Sequence, residues 1–329
     1  MKPYHELTSR GQLRSLRRLV LEVLTSYDLV VKQVSFLTIE TNTMFRVDTE
    51  DGDKYVLRIY SDEETTLREN QAEMFWLDAI IRDTDIKVCE PVRRNDGSYI
   101  TVASVDGVPG ERRCVLFRWV PGRALADNLS PRAYYQLGQT LAKLHDHAQQ
   151  LNLLPESIHP KQWDKVFYYP DEPIVYNTAH YHHYFPPESI ALLDDVIYRA
   201  NVLFKQLYAD RASKMLIHGD LHFWNVHLYR GELYVIDFED VMLGYPLQDV
   251  AVTLSYGRDR PDYDELRAAF CEGYSSLRVW PGESDSEIET LIAARTVMFI
   301  NYVARIDPTP QQYIEQRCER LQNYLRDFG

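Results

Sequence analysis

Basic charge is what this chain is short of: 36 Lys and Arg stand against 49 Asp and Glu in 329 residues, a formal net charge of −13. Duplex nucleic acid is bound by clustered cations that displace its counterions, so the balance argues against a nucleic-acid partner. Cysteine is scarce as well. Cys89, Cys114, Cys271 and Cys318 are scattered, with no C-x-x-C pair, which indicates neither a zinc site nor a disulfide framework and predicts reduced thiols in a cytoplasmic protein. No apolar run is long enough to cross a bilayer, and residues 1–18 carry charge without the apolar core of a signal peptide, so no membrane partner is expected. Internal repeats and low-complexity tracts are absent too. What remains is an ordinary globular composition at a length that allows two lobes, expected as a monomer or homodimer.

The pattern along the chain changes character once. Leu13, Leu16, Leu19, Val20, Val23 and Leu24 recur at helical spacing and predict an opening amphipathic helix that packs on the first lobe. Short runs over 34–40, 43–48 and 55–60 read as strands, with Asp51-Gly52 as a turn. A helix with Met74, Leu77 and Ile81 on its apolar face follows, then further strands over 86–93, 98–105 and 113–120. After Pro121-Gly122 the apolar spacing is helical around Tyr134 to Leu144, Ile190 to Leu207, 288–305 and 311–328. The segment 163–187, rich in Tyr, His and Pro, reads as an ordered loop or lid. The expected domains are therefore a mixed amino-terminal lobe, 1–120, and a helical carboxy-terminal lobe, 121–329.

The chemistry is concentrated in the middle. Met215-Leu216-Ile217 runs into His218-Gly219-Asp220-Leu221-His222, Asn225 follows Asp220 by five positions, and Arg230-Gly231-Glu232 turns into a strand that ends on Asp237. Phosphoryl transfer needs a carboxylate to accept the proton of an attacking hydroxyl, and oxygen ligands to hold the magnesium that bridges the nucleotide phosphates. The spacing of Asp220, Asn225 and Asp237 matches a kinase catalytic loop followed by a strand-borne metal ligand. A metal site made of His218, His222 and Asp220 is the alternative, disfavoured because a glycine-linked loop does not present ligands as a helix-borne zinc motif does.

Such a loop needs a cation on the strand lobe and a helix-borne Glu to orient it. Alternation in Tyr55-Val56-Leu57-Arg58-Ile59-Tyr60 puts Val56, Arg58 and Tyr60 on one face, so Arg58 is the phosphate-binding candidate and Val56 lies two positions before it to line the adenine. Glu69 and Glu73 are available on the following helix, and Glu73, one turn before Leu77, is preferred. The strand carrying Phe117 and Trp119 leads to the lobe boundary and is the adenine-reading candidate. A glycine-rich phosphate loop is missing from the first hairpin, which leaves Asn42 and Thr43 for phosphate contact.

These residues carry a resemblance over most of the chain. His218-Gly219-Asp220-Leu221-His222 with Asn225, Ile236-Asp237-Phe238-Glu239-Asp240, the segment from Gly244 to Asp249, and Leu141-Ala142-Lys143-Leu144-His145 are similar to the aminoglycoside phosphotransferase and choline kinase superfamily. Ala294-Arg295-Thr296-Val297-Met298-Phe299-Ile300-Asn301-Tyr302 resembles a helix of its bacterial stress-response kinase and homoserine kinase type members. The resemblance implies an α+β, protein-kinase-like two-lobe fold, with a small antiparallel sheet and one inserted helix in the first lobe and a mainly helical second lobe. It implies an ATP- and Mg2+-dependent phosphotransferase in which Asp220 is catalytic and Asn225 and Asp237 hold the metal. Arg58 departs from the family's usual Lys, a planar fork in place of a point charge. The implied acceptor is a hydroxyl of a small molecule such as an aminoglycoside, choline, ethanolamine or homoserine. Trp163, Tyr168, Tyr169 and Trp224 would give a cationic acceptor an aromatic face. The alternatives are a protein Ser/Thr kinase of the stress-response type and a non-catalytic nucleotide-binding pseudokinase.

Overall fold

A computed structural model describes residues 3–61, 65–151, 154–169, 172–209 and 214–329. The chain runs α1 (Ser9–Leu24), β1 (Val31–Ile39), β2 (Thr43–Thr49), β3 (Lys54–Ile59), α2 (Leu67–Asp83), β4 (Lys87–Val88), β5 (Thr101–Ala103), β6 (Arg112–Arg118), β7 (Arg123–Ala124), α3 (Pro131–Gln150), β8 (Lys161–Gln162), α4 (Pro187–Leu207), β9 (Met215–Ile217), β10 (Val226–Tyr229), β11 (Glu232–Val235), β12 (Met242–Gly244), α5 (Pro246–Ser255), α6 (Tyr263–Ser275), α7 (Asp285–Ile306) and α8 (Gln311–Phe328). This is the expected α+β fold, an antiparallel amino-terminal sheet with one inserted helix and a helical carboxy-terminal region. By packing it divides into two compact units, one of Met1–Ala124, Leu153–Pro160 and Val226–Glu239, the other of Leu125–Asn152, Lys161–Asn225 and Asp240–Gly329.

In the first unit an antiparallel sheet has the order β1-β2-β3-β6-β5. The apolar stripe of α1 covers it: Leu16, Leu19, Val20, Val23 and Leu24 share one buried cluster with Val34, Phe45, Val47, Tyr55, Leu57, Ile59 and Leu116. Burying each such side chain is worth about 1.5–3 kcal/mol, which is why a helix without charged partners along this stripe holds here. Since Tyr55, Leu57 and Ile59 point into that cluster, the pleat sends Val56, Arg58 and Tyr60 to the opposite face. The helix α2 starts on a capping box, Thr66 Oγ1 accepting from Glu69 N at 3.3 Å and Glu69 Oε2 from Thr66 N at 2.6 Å. The strand expected over 86–93 shrinks to β4, which pairs in parallel with β11 in a second sheet, β4-β11-β10-β7. Pro91 has no N–H to continue a ladder and makes only an isolated bridge to Phe117. Arg230 and Gly231, at φ 51° and 86°, form the two-residue turn between β10 and β11.

In the second unit α3 and α6 approach so closely that a Cβ on Gly138 would overlap the backbone of Phe270 and one on Gly273 that of Tyr135. The remaining helices α4, α5, α7 and α8 pack on one another, and α3 and α5 rest on β9 of a small sheet of order β8-β12-β9. Segment 163–187, of which 170–171 lie outside the described residues, is tied down: Trp163, Tyr176 and Phe185 are buried, Asn301 Oδ1 accepts from Val175 N at 2.7 Å, and Tyr176 donates to Asp194 at 2.7 Å. Cys89, Cys114, Cys271 and Cys318 are free thiols. No helix among the described residues is long and apolar enough to cross a membrane.

Candidate catalytic site

The loop after β9 is held from behind by one buried carboxylate. Asp249, on α5 and fully buried, accepts from His218 N at 2.8 Å and Gly219 N at 2.7 Å, and its Oδ2 lies 3.1 Å from His145 Nε2 on α3. His145 is fixed in turn by Tyr274, whose hydroxyl is 2.9 Å from Nδ1. Burial alone would raise the Asp249 carboxyl, but the hydrogen bond and charge of His145 and the Gly219 N–H outweigh it and hold it below the usual carboxylate range. Gly219 has φ +79°, and a Cβ there would strike the Asp240 carbonyl and sit 2.7 Å from Met242 Cε, so the bend that turns Asp220 outward admits only glycine.

Four donors converge on the Asp220 carboxylate. Oδ1 takes the Arg295 guanidinium and the Tyr256 hydroxyl, at 3.3 Å, while Oδ2 takes Asn225 Nδ2 at 3.1 Å and lies 3.2 Å from His222 Nε2. The His222 ring stacks on Tyr256, centroids 3.7 Å apart, so its place is set by packing as well as by Asp220. Asn225 also donates to the Asp220 carbonyl at 2.9 Å. With the amino end of the amide committed in this way, its carbonyl oxygen is the end left to serve a cation, and oxygen ligands suit a hard ion such as magnesium. Beside this loop Lys161 Nζ and the Tyr169 hydroxyl reach Asp240 Oδ1 at 2.6 and 3.1 Å. Burial would push the Asp240 carboxyl up, yet Lys161, Arg295 and Tyr169 hold it down at about 2.

In the first unit the expected cation and carboxylates meet. Arg58 Nη1 donates to Glu73 Oε1 at 2.9 Å and Nη2 to Asp237 Oδ1 at 3.0 Å, while the Tyr60 hydroxyl donates to Glu73 Oε2 at 2.6 Å. Glu69 is spent on the helix cap, which leaves Glu73, one turn further on and buried, to face Arg58. Phe117 packs beneath the guanidinium, 5.0 Å from ring centroid to Cζ, and Val56 is its cross-strand partner. Asp237 sits at φ +65°, a left-handed conformation that Asp tolerates better than most residues. The carboxylates of Glu73, Asp237 and Glu239 all act on the one Arg58, an excess of negative charge that a divalent cation would offset. The other candidates have these partners. Asn42 donates to Glu239 and accepts from Ser61 N at 3.0 Å, Thr43 pairs with Ile59, and Trp119 N donates to the Lys54 carbonyl at 3.0 Å.

The model of the phosphotransferase enzyme family matches residues 37–284. The chain belongs to that family. An uncharacterised protein of Synechocystis is 27% identical over 227 residues, 69% of this chain but only 60% of its own length. Among solved structures, a microcompartment-associated aminopropanol kinase superposes with a TM-score of 0.79 at 21% identity, covering 95% of this chain and 98% of its own. An amicoumacin kinase in complex with AMP-PNP, Ca2+ and Ami gives 0.75 at 18% identity, covering 96% of each chain. At such identities the structural likeness speaks for the fold.

Arg295 and Tyr256 on Asp220, Asp249 behind the loop and Lys161 on Asp240 are contacts that the sequence reading does not assign. Arg295 and Asp249 fall inside segments singled out for their resemblance, but neither carries a local signal of what it touches. The aromatic residues do not form an open cage. Trp163 packs on Tyr168 and Phe204, Tyr168 stacks on Tyr169, and the cation over the Tyr169 ring is the chain's own Lys161, 5.0 Å from the centroid. Trp224 stands apart with Phe223 and is 55% exposed. No group of three or more His, Cys, Asp or Glu among the described residues is placed to hold a metal ion, so the His218, His222 and Asp220 alternative has no ligand set.

Proposed function

We propose that the protein transfers the γ-phosphoryl group of ATP to a hydroxyl of a small-molecule acceptor. The observation that carries this reading is the Asp220 carboxylate, presented on a clamped glycine turn with Asn225 bonded to it. Membership of the phosphotransferase enzyme family and likeness to kinases of aminopropanol and amicoumacin, the latter solved with an ATP analogue and a divalent cation, support it. Magnesium held by Asn225 and Asp237 would neutralise charge on the phosphates.

In this reaction Asp220 accepts a hydrogen bond from the acceptor hydroxyl, aligns its oxygen on the γ-phosphorus and takes its proton as the new O–P bond forms and ADP leaves. Arg58, held flat between Glu73 and Phe117, binds the phosphates. Val56, Phe117 and Trp119 are the candidates for nucleotide contact on β3 and at the end of β6, and Asn42 and Thr43 at the β1–β2 turn the candidates for phosphate contact. Glycerol, choline, ethanolamine, aminoglycosides and a generic Ser/Thr protein are to be screened for magnesium-dependent ADP release. Asp220→Asn should abolish turnover and spare nucleotide binding, and retention of most of the activity would remove Asp220 from this role. ADP release only with the protein substrate would turn the assignment to a protein kinase.

A further inference from the structure

Within the second unit, α7, α8 and the turn after α5 line a solvent-open pocket of about 200 Å3. It is smaller than the roughly 300–1,000 Å3 that drug-sized ligands occupy, so it suits a molecule of few heavy atoms. Four arginines, Arg258, Arg295, Arg317 and Arg320, line it against two carboxylates, Asp259 and Glu289. Glu289 pairs with Arg258, while Asp259 is shared by Arg317, at 3.8 Å, and Arg320. In a chain of net charge −13 this is a local excess of cations.

The cavity touches the catalytic carboxylate through its wall. Arg295 and Tyr256 line it, and both donate to Asp220 Oδ1. Arg295 is 5% exposed, and its Nε has no hydrogen-bond partner among the described residues although one Nη already serves Asp220. A guanidinium presents five donors in a fork that matches the two oxygens of an acid. Asp220, by contrast, is saturated: four donors fill the roughly four acceptor positions of a carboxylate, so an incoming hydroxyl must displace one of them.

We propose that this cavity is the acceptor site and that it selects a small alcohol bearing an acidic group, a carboxylate or a phosphate monoester, a few bonds from the reacting hydroxyl. The acid takes the unused edge of Arg295, with Arg317 and Arg320 supplying further charge. Drawn toward the acid, Arg295 loosens its hold on Oδ1, and the hydroxyl takes the freed position on Asp220. An alcohol without the acid meets an Asp220 still occupied.

This rests on the phosphotransferase reading above, and matched probes separate the two. ADP release is measured with glycerate, glycerol 3-phosphate and 4-hydroxybutyrate against glycerol, 1,4-butanediol and choline. Binding of the same probes without nucleotide is followed by calorimetry. Acid-bearing probes should bind and be turned over with kcat/KM at least about tenfold above their neutral partners, the worth of one charged hydrogen bond. Arg317→Gln/Arg320→Gln, at half-exposed positions, should raise KM for the acids at least about tenfold and leave KM for ATP unchanged. Arg295→Gln should erase the preference for acids. If turnover occurs but is best with glycerol or choline, the inference falls and phosphotransfer stands. If the acids bind and no probe, acidic or neutral, releases ADP, the pocket's preference for acids stands while the phosphotransferase reading, and with it the acceptor role, falls. Failure of every acid to bind, or binding unchanged in the double variant, overturns the inference whatever the turnover.

Discussion

Asp249→Asn probes the clamp on the loop that carries Asp220 most directly, because it changes one oxygen into an amino group at a site with no exposure. Asp249 Oδ1 accepts from Gly219 N, and Oδ2 accepts from His218 N beside His145. A carboxamide has a single oxygen. Placed toward His218 and His145, it leaves its NH2 facing the Gly219 N–H, two donors with nothing between them; the reverse placement confronts the His218 N–H. Either way one charge-assisted hydrogen bond, worth about 1.5–3 kcal/mol, is lost and a buried N–H is orphaned at about 1–3 kcal/mol. The two overlap, so the expected destabilisation is about 3 kcal/mol. At about 2–4 °C per kcal/mol for a body of this size, the thermal midpoint should fall by about 6–12 °C. Because Gly219 precedes Asp220, the acid also loses its fixed position, and a displacement near 1 Å lowers kcat about 100-fold. Calorimetry and urea titration give the first number and the ADP-release assay the second. Stability within about 0.5 kcal/mol of the parent, with kcat unchanged, would refute the clamp.

Gly219→Ala forces a side chain into a left-handed conformation, about 1–2 kcal/mol, and into the Asp240 carbonyl; denaturant titration should show a loss above about 3 kcal/mol, and parental stability would contradict the geometry. Asp240 tests pH dependence. Its carboxyl is held at about 2 against an ordinary 3.8, so the ionised form stabilises the fold above pH ~4 and that stabilisation disappears as pH falls toward 2. With the side chain 31% exposed, the contribution is about 2 kcal/mol. Asp240→Asn should be less stable by that amount at pH 7, the gap closing toward pH 2; a gap independent of pH would remove Lys161 and its neighbours as the cause. Arg58→Lys keeps the charge but cannot span Glu73 and Asp237 as a fork, so ATP affinity measured by calorimetry should weaken about tenfold, and unchanged affinity would show the fork to be dispensable.

Local order was legible because short-range rules govern it. The period-two alternation of 55–60 and the helical spacing of Leu13 to Leu24 correspond to β3 and α1, whose buried residues meet in one cluster. The strand expected over 86–93 forms only over Lys87–Val88: Pro91, which cannot donate to a ladder, is visible in the sequence, but the pairing of β4 with β11 is not. The aromatic segment departs from expectation for a different reason. Composition reports many rings, but burial decides whether they face a ligand, and Trp163 lies in the core at 2% exposure.

The sequence by itself determined the spacing of Asp220, Asn225 and Asp237, the glycine turn between strand and acid, and the strand that carries Arg58. These are properties of a few consecutive residues, set by backbone geometry. The partnership of Glu73 with Arg58 was already indicated by its place on the helix, whereas tertiary structure alone decided that Asp249 and His145 lock the loop and that Arg295 on a distant helix holds Asp220. It also decided that the hairpin of β10 and β11 belongs with the first unit. Each of these is a choice among many charged or apolar residues that look alike in sequence. Only the packing of helices and sheets, which brings some of them to hydrogen-bonding distance and leaves others in solvent, makes that choice.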